Sequence, residues 1–130
     1  MKSHWLPASL FATLCGTALF TDAVAATFSS GPQQTQLVEL YTSEGCSSCP
    51  PADRWLSRYK HNPELWKRWV PIAWHVDYWD YLGWKDPYAK TIHSDRQQNL
   101  YLLGQTRSVY TPPVVVGGND WRGFVLGITK

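Results

Sequence analysis

Three short apolar runs have the length and composition of β-strands. They are LVELY at 37–41, WVPIAWHV at 69–76 and VVV at 114–116. Runs of four to eight residues rich in Val, Ile and aromatic side chains are typical of strands, and a run that is apolar on both faces is typical of a central strand. We therefore expect 69–76 to lie in the interior of a sheet. A fourth strand at 121–126 is expected to pair with 114–116 across a turn at 117–120.

Two helices are predicted between these strands. After the second cysteine of the motif discussed below, apolar residues recur at i, i+3, i+4 and i+7, the spacing of one buried helix face: Ala52, Trp55, Leu56 and Tyr59. Asp86 followed by Pro87 is typical of a helix start and Gly104 of a helix end, so a second helix is expected from 86 to about 103. The order strand, helix, strand, helix, strand, strand indicates an α/β fold.

The first 26 residues lie outside this pattern and are predicted to be a signal peptide. Lys2 provides a positive start, 10–20 is apolar, and the small residues at 23–25 are suited to cleavage. The alternative interpretation is a membrane-spanning helix, but the apolar stretch is too short for one. We therefore expect an exported chain, periplasmic or secreted, with no stable membrane insertion after removal of the leader.

Composition limits what the mature chain can be. Residues 27–36 are polar and are expected to form a flexible segment, whereas 37–130 are expected to form one domain. Twelve Lys and Arg against ten Asp and Glu give a net charge of +2, too small a surplus to favour nucleic-acid binding. Hydrophobic residues make up 44% of the chain and charged residues 17%, which excludes a disordered protein. Eight tryptophans indicate an aromatic core or a ligand groove.

The candidate chemistry lies in a Cys-x-x-Cys motif between the first strand and the first helix. Because Cys15 is expected to be lost with the leader, Cys46 and Cys49 are the two cysteines of the mature chain. A helix N-terminus stabilises a thiolate, and the thiolate is the reactive species in disulfide exchange. The motif therefore predicts that Cys46 is the exposed attacking sulfur. Cys49, deeper in the turn, is predicted to resolve the mixed disulfide.

Two plainer roles for these cysteines are open as well. A structural disulfide that encloses two residues would constrain the unfolded chain little, and structural zinc needs four ligands. Pro50 and Pro51 complicate the redox role. Because a residue before proline avoids helical geometry, Cys49 is expected outside the helix, which would begin as late as Pro51 and place its dipole further from Cys46.

Two other segments are candidates for the surroundings of the cysteines. Thr111-Pro112 precedes the third strand, where its backbone could bind an extended substrate chain, or the proline could simply begin an edge strand. The segment 74–85 (WHVDYWDYLGWK) follows the second strand. It carries Trp79 and Trp84 as candidates for a substrate-binding surface.

A histidine and an acid follow each other closely in that segment. By strand alternation His75 and Asp77 share one face, where they could relay protons or bind a metal. The alternative is a structural histidine held by a neighbouring carboxylate.

At these residues the sequence resembles the thioredoxin superfamily and, more closely, an exported bacterial thioredoxin-like family of unknown function. The stretches that carry the resemblance are ELYTSEGCSSCPPAD at 39–53, HVDYWDYLGWKDP at 75–87, RQ at 96–97 and SVYTP at 108–112. The resemblance implies a thioredoxin-like fold with a central mixed sheet and flanking helices, Cys46 and Cys49 as the redox pair, and a cis bond at Pro112. Two serines between the cysteines depart from the Gly-Pro pair typical of thioredoxins. The last helix of that fold is expected to be missing from a domain truncated at Lys130.

The expected function is that of an exported thiol–disulfide oxidoreductase that exchanges disulfides with protein thiols or with a redox partner protein. No cofactor is expected beyond the disulfide of the motif itself. Thr111 and Pro112 would position the substrate chain, and Trp79 and Trp84 would line its approach.

Two alternatives belong to other functional classes. A metal-binding or copper-delivery protein of the same fold would bind Cu(I) through Cys46, Cys49 and His75, because soft thiolates select that ion. A carbohydrate- or peptide-binding module would leave the dithiol incidental.

Overall fold

The computed structural model describes residues 27, 29 and 31–123, which form a mixed α/β fold with a four-stranded sheet and two α-helices. In chain order the elements are β1 (Gln36–Thr42), α1 (Pro50–Ser57), β2 (Trp69–His75), α2 (Thr91–Leu102), β3 (Val114–Val116) and β4 (Asn119–Trp121). Short 3₁₀ turns follow α1 at Arg58–His61 and precede α2 at Asp80–Leu82. The predicted leader lies outside the described residues.

The sheet is mixed, with strand order β2-β1-β3-β4. β1 pairs with β2 in parallel and with β3 antiparallel, and β3 continues into β4 as a hairpin. Gly117 and Gly118 form the hairpin turn with φ values of 57° and 81°, a region that favours glycine. The predicted hairpin is therefore present, but the predicted turn at 117–120 is too long, because Asn119 and Asp120 pair with Val116 and Val115 as part of β4. Its second strand ends at Trp121, and the rest of the predicted strand beyond residue 123 lies outside the described residues.

The prediction that 69–76 is an interior strand is wrong for the described part of the sheet, where β2 lies at the edge. Its apolar side chains are only partly buried, with Ala73 exposed, and the tryptophans of the strand pack against aromatic rings on the faces of the sheet. Trp69 packs against Tyr59, and Trp74 against His93 at the start of α2. Backbone hydrogen bonds also reach β2 at its two ends, where the N–H of Trp66 donates to the carbonyl of Trp69 and the N–H of Lys90 donates to that of His75.

β1 divides the core into two layers because its side chains alternate between the faces of the sheet. Val38 and Leu40 face α1, whose buried side chains are those that the helical spacing predicted: Ala52, Trp55, Leu56 and, just after the helix, Tyr59. Tyr41 lies in the second layer, where it packs with Val115 and with Leu100 of α2. Both layers are dominated by apolar contacts, the main stabilising contribution to a domain of this size.

The first helix begins earlier than expected. α1 starts at Pro50, and its N-cap residue Cys49 has helical dihedral angles (φ −77°, ψ −33°), so the expectation that Cys49 avoids this geometry is wrong. Two interactions hold Cys49 there. Its N–H donates to the carbonyl of Cys46, and its own carbonyl accepts the N–H groups of Ala52 and Asp53. Proline fits the first helical position because the N–H it lacks would have no partner within the helix.

The second helix begins later than predicted, at Thr91 instead of 86, and ends at Leu102 as predicted. Asp86 does not cap this helix because its carboxylate is used elsewhere, as described below. No side chain in the described part of the protein caps the start of α2; the carboxylate of Asp77 instead accepts hydrogen bonds from the hydroxyls of Thr91 and Ser94 in the first turn.

Candidate functional site

The two cysteines of the motif form a disulfide between the end of β1 and the start of α1. Cys49 is completely buried, and Cys46 is only 3% exposed. Cys46 is thus the more accessible sulfur, but the expectation that it is exposed is wrong. The reason is the layer of side chains around it, which comes from segments far away in the chain.

A tight turn presents Cys46 to these side chains. The N–H of Cys46 donates to the carbonyl of Ser43, and the Ser43 hydroxyl accepts the N–H of Gly45. A Cβ atom at Gly45 would lie 3.2 Å from the Cβ of Trp79, which is an unusually tight contact. Glycine before the motif therefore lets Trp79 pack closely against the turn.

Thr111 makes the contact that connects the motif to the rest of the site. Its buried hydroxyl lies 3.2 Å from Cys46 Sγ, across 65 residues of sequence. The Thr111–Pro112 bond is cis, as the resemblance implies. Behind Thr111, the side-chain amide of Gln97 donates to the carbonyl of Tyr110 at 2.6 Å. A fully buried glutamine of α2 thus braces the segment that carries Thr111.

Trp79 reaches the site from behind Thr111. Its indole Nε1–H donates to Thr111 Oγ1 at 2.7 Å, and the residue is only half-buried. The structure thereby brings Trp79, Thr111 and Cys46 into one connected chain of side chains. The indole nitrogen of Trp79 therefore lies in the interior of the site, while the half-buried ring remains partly accessible to a substrate.

Trp84 fits the expected surface role more directly, because it is 62% exposed. Its indole Nε1–H donates to the carboxylate of Glu44 at 2.7 Å, two residues before Cys46. Tyr81, Leu82 and Tyr88 are also largely exposed. We call these four side chains, Tyr81, Leu82, Trp84 and Tyr88, the aromatic loop surface; it is tied to the cysteine turn through Glu44.

His75 is paired with Asp86 and not with Asp77, which agrees with the alternative of a structural histidine held by a carboxylate and not with a His75–Asp77 relay. Its Nδ1 lies 2.6 Å from Asp86 Oδ2, whereas Asp77 follows the end of β2 and turns toward α2. Asp86 also accepts the N–H groups of Glu44 and Tyr88. It therefore holds the loop before Cys46 against the segment after β2.

The electrostatic balance at Asp86 follows from these contacts. Burial raises the pKa of its carboxyl, but the hydrogen bonds from Glu44, His75 and Tyr88 outweigh burial, and the pKa lies below its ordinary value of 3.8. The pKa of Asp77 is lowered as well, chiefly by the hydroxyls of Ser94 and Thr91. Within residues 31–123 and the two described residues before them, no three or more His, Cys, Asp or Glu side chains are grouped to hold a metal ion.

The residues that sequence reasoning missed are Asp86 and Glu44, which position the cysteine turn, and a charged cluster on the α2 side of the sheet. In that cluster Glu39, 1% exposed, accepts hydrogen bonds from Arg96 and Trp74. One signal was available. A lone carboxylate within the apolar run 37–41 requires a buried partner, although the sequence does not say which cation provides it.

Comparisons with known proteins give a family whose activity is not described and a similar solved structure. The profile of a family described as protein of unknown function (DUF1223) matches residues 37–124. The X-ray crystal structure of a protein from Agrobacterium tumefaciens is 37% identical with a TM-score of 0.57, over 71% of this chain and 43% of that one. This chain therefore spans less than half the length of that protein. No curated protein matched, and no helix in the described residues is long and apolar enough to cross a membrane. The chain belongs to the DUF1223 family of proteins of unknown function.

Proposed function

We propose that this chain is an exported thiol–disulfide oxidoreductase of thioredoxin-like fold that exchanges disulfides with protein thiols. The observation that carries the proposal is the contact between Thr111 and Cys46. The disulfide lies at the start of α1, and Cys46 is its slightly accessible sulfur. The hydroxyl of Thr111, the residue before the cis-proline, lies next to that sulfur. The strand order, with parallel β1 and β2 in the described sheet, is compatible with the proposed fold.

The exchange proceeds through Cys46 because Cys49 is completely buried. A substrate thiolate attacks Cys46 Sγ, the bond between Cys46 and Cys49 breaks, and the electron pair leaves on Cys49. A second substrate thiolate then attacks the substrate sulfur of the mixed disulfide and releases Cys46 as a thiolate. The substrate gains one disulfide and the protein gains two thiols, and the same steps run in reverse when the reduced protein meets a substrate disulfide.

Two features favour the reduced form of the site. Cys49 is the N-cap residue of α1, so the positive end of the helix dipole lies next to the motif, although Pro50 and Pro51 have no N–H to donate to a sulfur. The Thr111 hydroxyl is within hydrogen-bond distance of Cys46 Sγ, and a hydrogen bond to a thiolate is stronger than one to a neutral sulfur. Both features argue against the interpretation as an inert structural disulfide, because such a disulfide needs no group that stabilises a charged sulfur.

We propose that the substrate is an extended polypeptide segment. Thr111 precedes β3 and lies outside its ladder, so its backbone can pair with an added strand. The aromatic loop surface offers exposed apolar area beside the cysteine turn, where it can receive apolar side chains of an unfolded chain. Export is proposed because disulfides persist in oxidising compartments, in agreement with the leader expected at residues 1–26.

The first test is the redox midpoint of the purified chain, equilibrated in glutathione buffers and read by thiol trapping and mass. We expect a midpoint between about −120 and −270 mV, the range of working oxidoreductases. We expect the Cys46→Ser variant to lose exchange with a reduced, unfolded protein substrate completely. The matched Cys49→Ser variant, mixed with the disulfide-bonded form of that substrate, should accumulate a mixed disulfide between Cys46 and the substrate as one substrate sulfur leaves as a thiolate, and a small thiol should release it.

Two results would contradict the proposal. A midpoint below about −300 mV would identify an inert structural bridge. Stoichiometric Cu(I) binding that is lost in Cys46→Ser, in a chain that exchanges no disulfides, would favour the copper-delivery alternative.

A further inference from the structure

The Thr111 hydroxyl is held from both sides, by Trp79 and by the sulfur of Cys46. Trp79 Nε1 lies 2.7 Å from Thr111 Oγ1, and Thr111 Oγ1 lies 3.2 Å from Cys46 Sγ. An indole N–H can only donate, so in the first contact the threonine oxygen is the acceptor. The hydroxyl has a single proton, which is then available to the sulfur at 3.2 Å or to the oxygen of Tyr78, the other acceptor beside Thr111.

We propose that Trp79 is a positioning residue that orients the Thr111 hydroxyl toward Cys46 Sγ and thereby stabilises the Cys46 thiolate once the disulfide is reduced. The inference rests on the proposed function, because it matters only in a protein whose disulfide is reduced and reformed. It assigns Trp79 a role beyond the substrate contact that its place in an aromatic segment suggested.

The effect is expected to depend on the redox state. In the oxidised protein the hydroxyl donates to a disulfide sulfur, which is neutral and a weak acceptor. Reduction creates a thiolate at the same place, next to a donor that is already aligned and largely shielded from water, since Thr111 is 9% exposed and Cys46 3%. Charge-assisted hydrogen bonds are roughly twice as strong as neutral ones, so the chain favours the reduced form more than the oxidised form.

Other groups near the sulfur do not replace this donor. Ser48 Oγ is 3.6 Å from Cys46 Sγ, a longer contact than that of Thr111. Tyr78 is the titratable group beside Thr111. Burial raises the pKa of Tyr78 above 10.0, against hydrogen bonds with Gln97 and Thr111, so Tyr78 is a neutral phenol at pH 7. A neutral phenol oxygen competes poorly with a thiolate for the threonine proton.

The charged groups in the flanking segments already have partners. Glu44 accepts from Trp84 Nε1, and Asp53 accepts from the Thr42 hydroxyl. Both are unchanged in every variant below, so a difference between variants reports on the Trp79–Thr111 contact.

The test is the pH titration of the Cys46 thiolate, followed by its ultraviolet absorbance in the Cys49→Ser variant, where Cys46 is the thiol of the motif. We expect Trp79→Phe, which keeps the Cβ and an aromatic ring, to shift the midpoint upward by about one pH unit, a tenfold change in ionisation. Thr111→Val should give a similar shift, and Thr111→Ser should retain the original midpoint. The double variant Trp79→Phe/Thr111→Val should shift no further than Thr111→Val alone. Tyr78→Phe, which removes a neighbouring hydroxyl, should not raise the midpoint.

The redox equilibrium provides a second readout in the chain with both cysteines. A tenfold loss of stabilisation of the reduced form lowers the midpoint potential by about 30 mV in Trp79→Phe. If Trp79→Phe does not fold, the indole N–H resonance of Trp79 in the unsubstituted chain carries the test. It should titrate with the Cys46 thiolate, and this response should disappear in Thr111→Val.

Three results would overturn the inference. Trp79→Phe could keep the original midpoint while Thr111→Val shifts it, which would show that the hydroxyl needs no indole partner. Trp79→Phe could shift the midpoint equally in the Thr111→Val background, which would show that Trp79 acts through packing. The indole N–H resonance of Trp79 could also fail to shift when the Cys46 thiol ionises. A failure of the proposed function looks different, because the titrations would follow expectation while the unsubstituted chain exchanged no disulfides with protein substrates.

Discussion

The two buried polar sites next to β1 handle charge in opposite ways. On the α2 side of the sheet, Glu39 and Arg96 form an ion pair that is charged in the native state. Near the end of the strand, Cys46 and Thr111 are neutral in the oxidised protein, and a charge develops there only when the disulfide is reduced. The partners of Glu39 compensate a charge that is present in both redox states. The Thr111 hydroxyl is placed for a charge that exists only in the reduced protein.

The ion pair is compensated on every side. Glu39 Oε1 accepts from Arg96 Nε at 2.6 Å, from Trp74 Nε1 at 2.9 Å and from the Tyr41 hydroxyl at 3.4 Å. The guanidinium of Arg96 also lies 5.5 Å from the ring centroid of Trp74. The hydrogen bond and charge of Glu39 raise the pKa of Arg96, so its charge is constant across the physiological range. Such a cluster stabilises one fold and has no chemistry to perform.

The comparison teaches where function is to be expected among buried polar groups. A carboxylate with three donors is fully satisfied, whereas a sulfur with one aligned donor gains most when it becomes an anion. Substitutions at the ion pair should therefore change stability and leave the redox midpoint alone. Substitutions around Cys46 should change the redox midpoint.

The largest effect is expected when Arg96 is removed. Arg96→Ala leaves Glu39 buried without its cation and should lower the free energy of unfolding of the oxidised chain by about 3 kcal/mol. Chemical denaturation measures this loss. The matched control is Arg107→Ala, whose contact with Asp120 is 3.9 Å long and exposed, and which should cost less than about 0.5 kcal/mol. A shift of the redox midpoint in Arg96→Ala as large as that in Trp79→Phe would break the separation of the two sites.

Asp86 shares features with both sites. It positions the cysteine turn, but its charge does not change with the redox state of the protein. Its pKa is lower in the folded chain than the ordinary 3.8, so its contribution to stability is present above pH 3.8 and is lost as the pH falls through the lowered value. Asp86→Asn should lower the free energy of unfolding by about 2 kcal/mol at pH 7, because an amide has one accepting oxygen and cannot accept the Tyr88 N–H at Oδ1 as well as the Glu44 N–H at Oδ2. The loss relative to the unsubstituted chain should shrink as the pH falls below 4.

Denaturation curves between pH 7 and pH 2.5 check this expectation. Asp95→Asn, at an exposed position of α2, is the matched control and should change stability little at either pH. A constant difference between Asp86→Asn and the unsubstituted chain across this range would show that Asp86 acts without its charge.

The smallest effect is expected at the aromatic loop surface. Trp84→Ala should lower the rate of exchange with a reduced, unfolded protein by roughly threefold to tenfold, the loss of about 1 kcal/mol of apolar contact. Exchange with glutathione should keep its rate, because a small thiol does not reach that surface. Leu103→Ala, 73% exposed at the end of α2, is the control for a generic loss of apolar surface. Equal effects on both substrates would assign Trp84 to the cysteine turn, through Glu44, instead of to substrate binding.

The sequence predicted the parts of this site that depend on neighbours in the chain. Cys46 and Cys49 lie at the start of a helix because a strand, a turn and an amphipathic run follow one another there. The Gly117-Gly118 turn identified the hairpin, and the helical spacing identified the buried face of α1. The sequence could not predict that Cys46 is almost buried, because the covering side chains come from residues 79 and 111.

Two further errors share this cause. β2 has an apolar sequence that suits a central strand, yet it lies at the edge of the described sheet, where its tryptophans pack against aromatic rings. Asp86 has the local signature of a helix cap, yet its carboxylate is taken by Glu44 and His75. Local propensity was overridden each time by a partner that could be identified only after folding.

The sequence by itself therefore determined the α/β order, the position of the dithiol and the hairpin, since hydrophobic period and turn chemistry act over a few residues. Only the tertiary structure decided which groups surround the sulfur and which cation meets Glu39. Those contacts join residues 65 and 57 positions apart, and their geometry depends on how the helices pack against both faces of the sheet. Buried polar atoms must find partners wherever packing brings them, so their partners are a property of the fold and not of the local sequence.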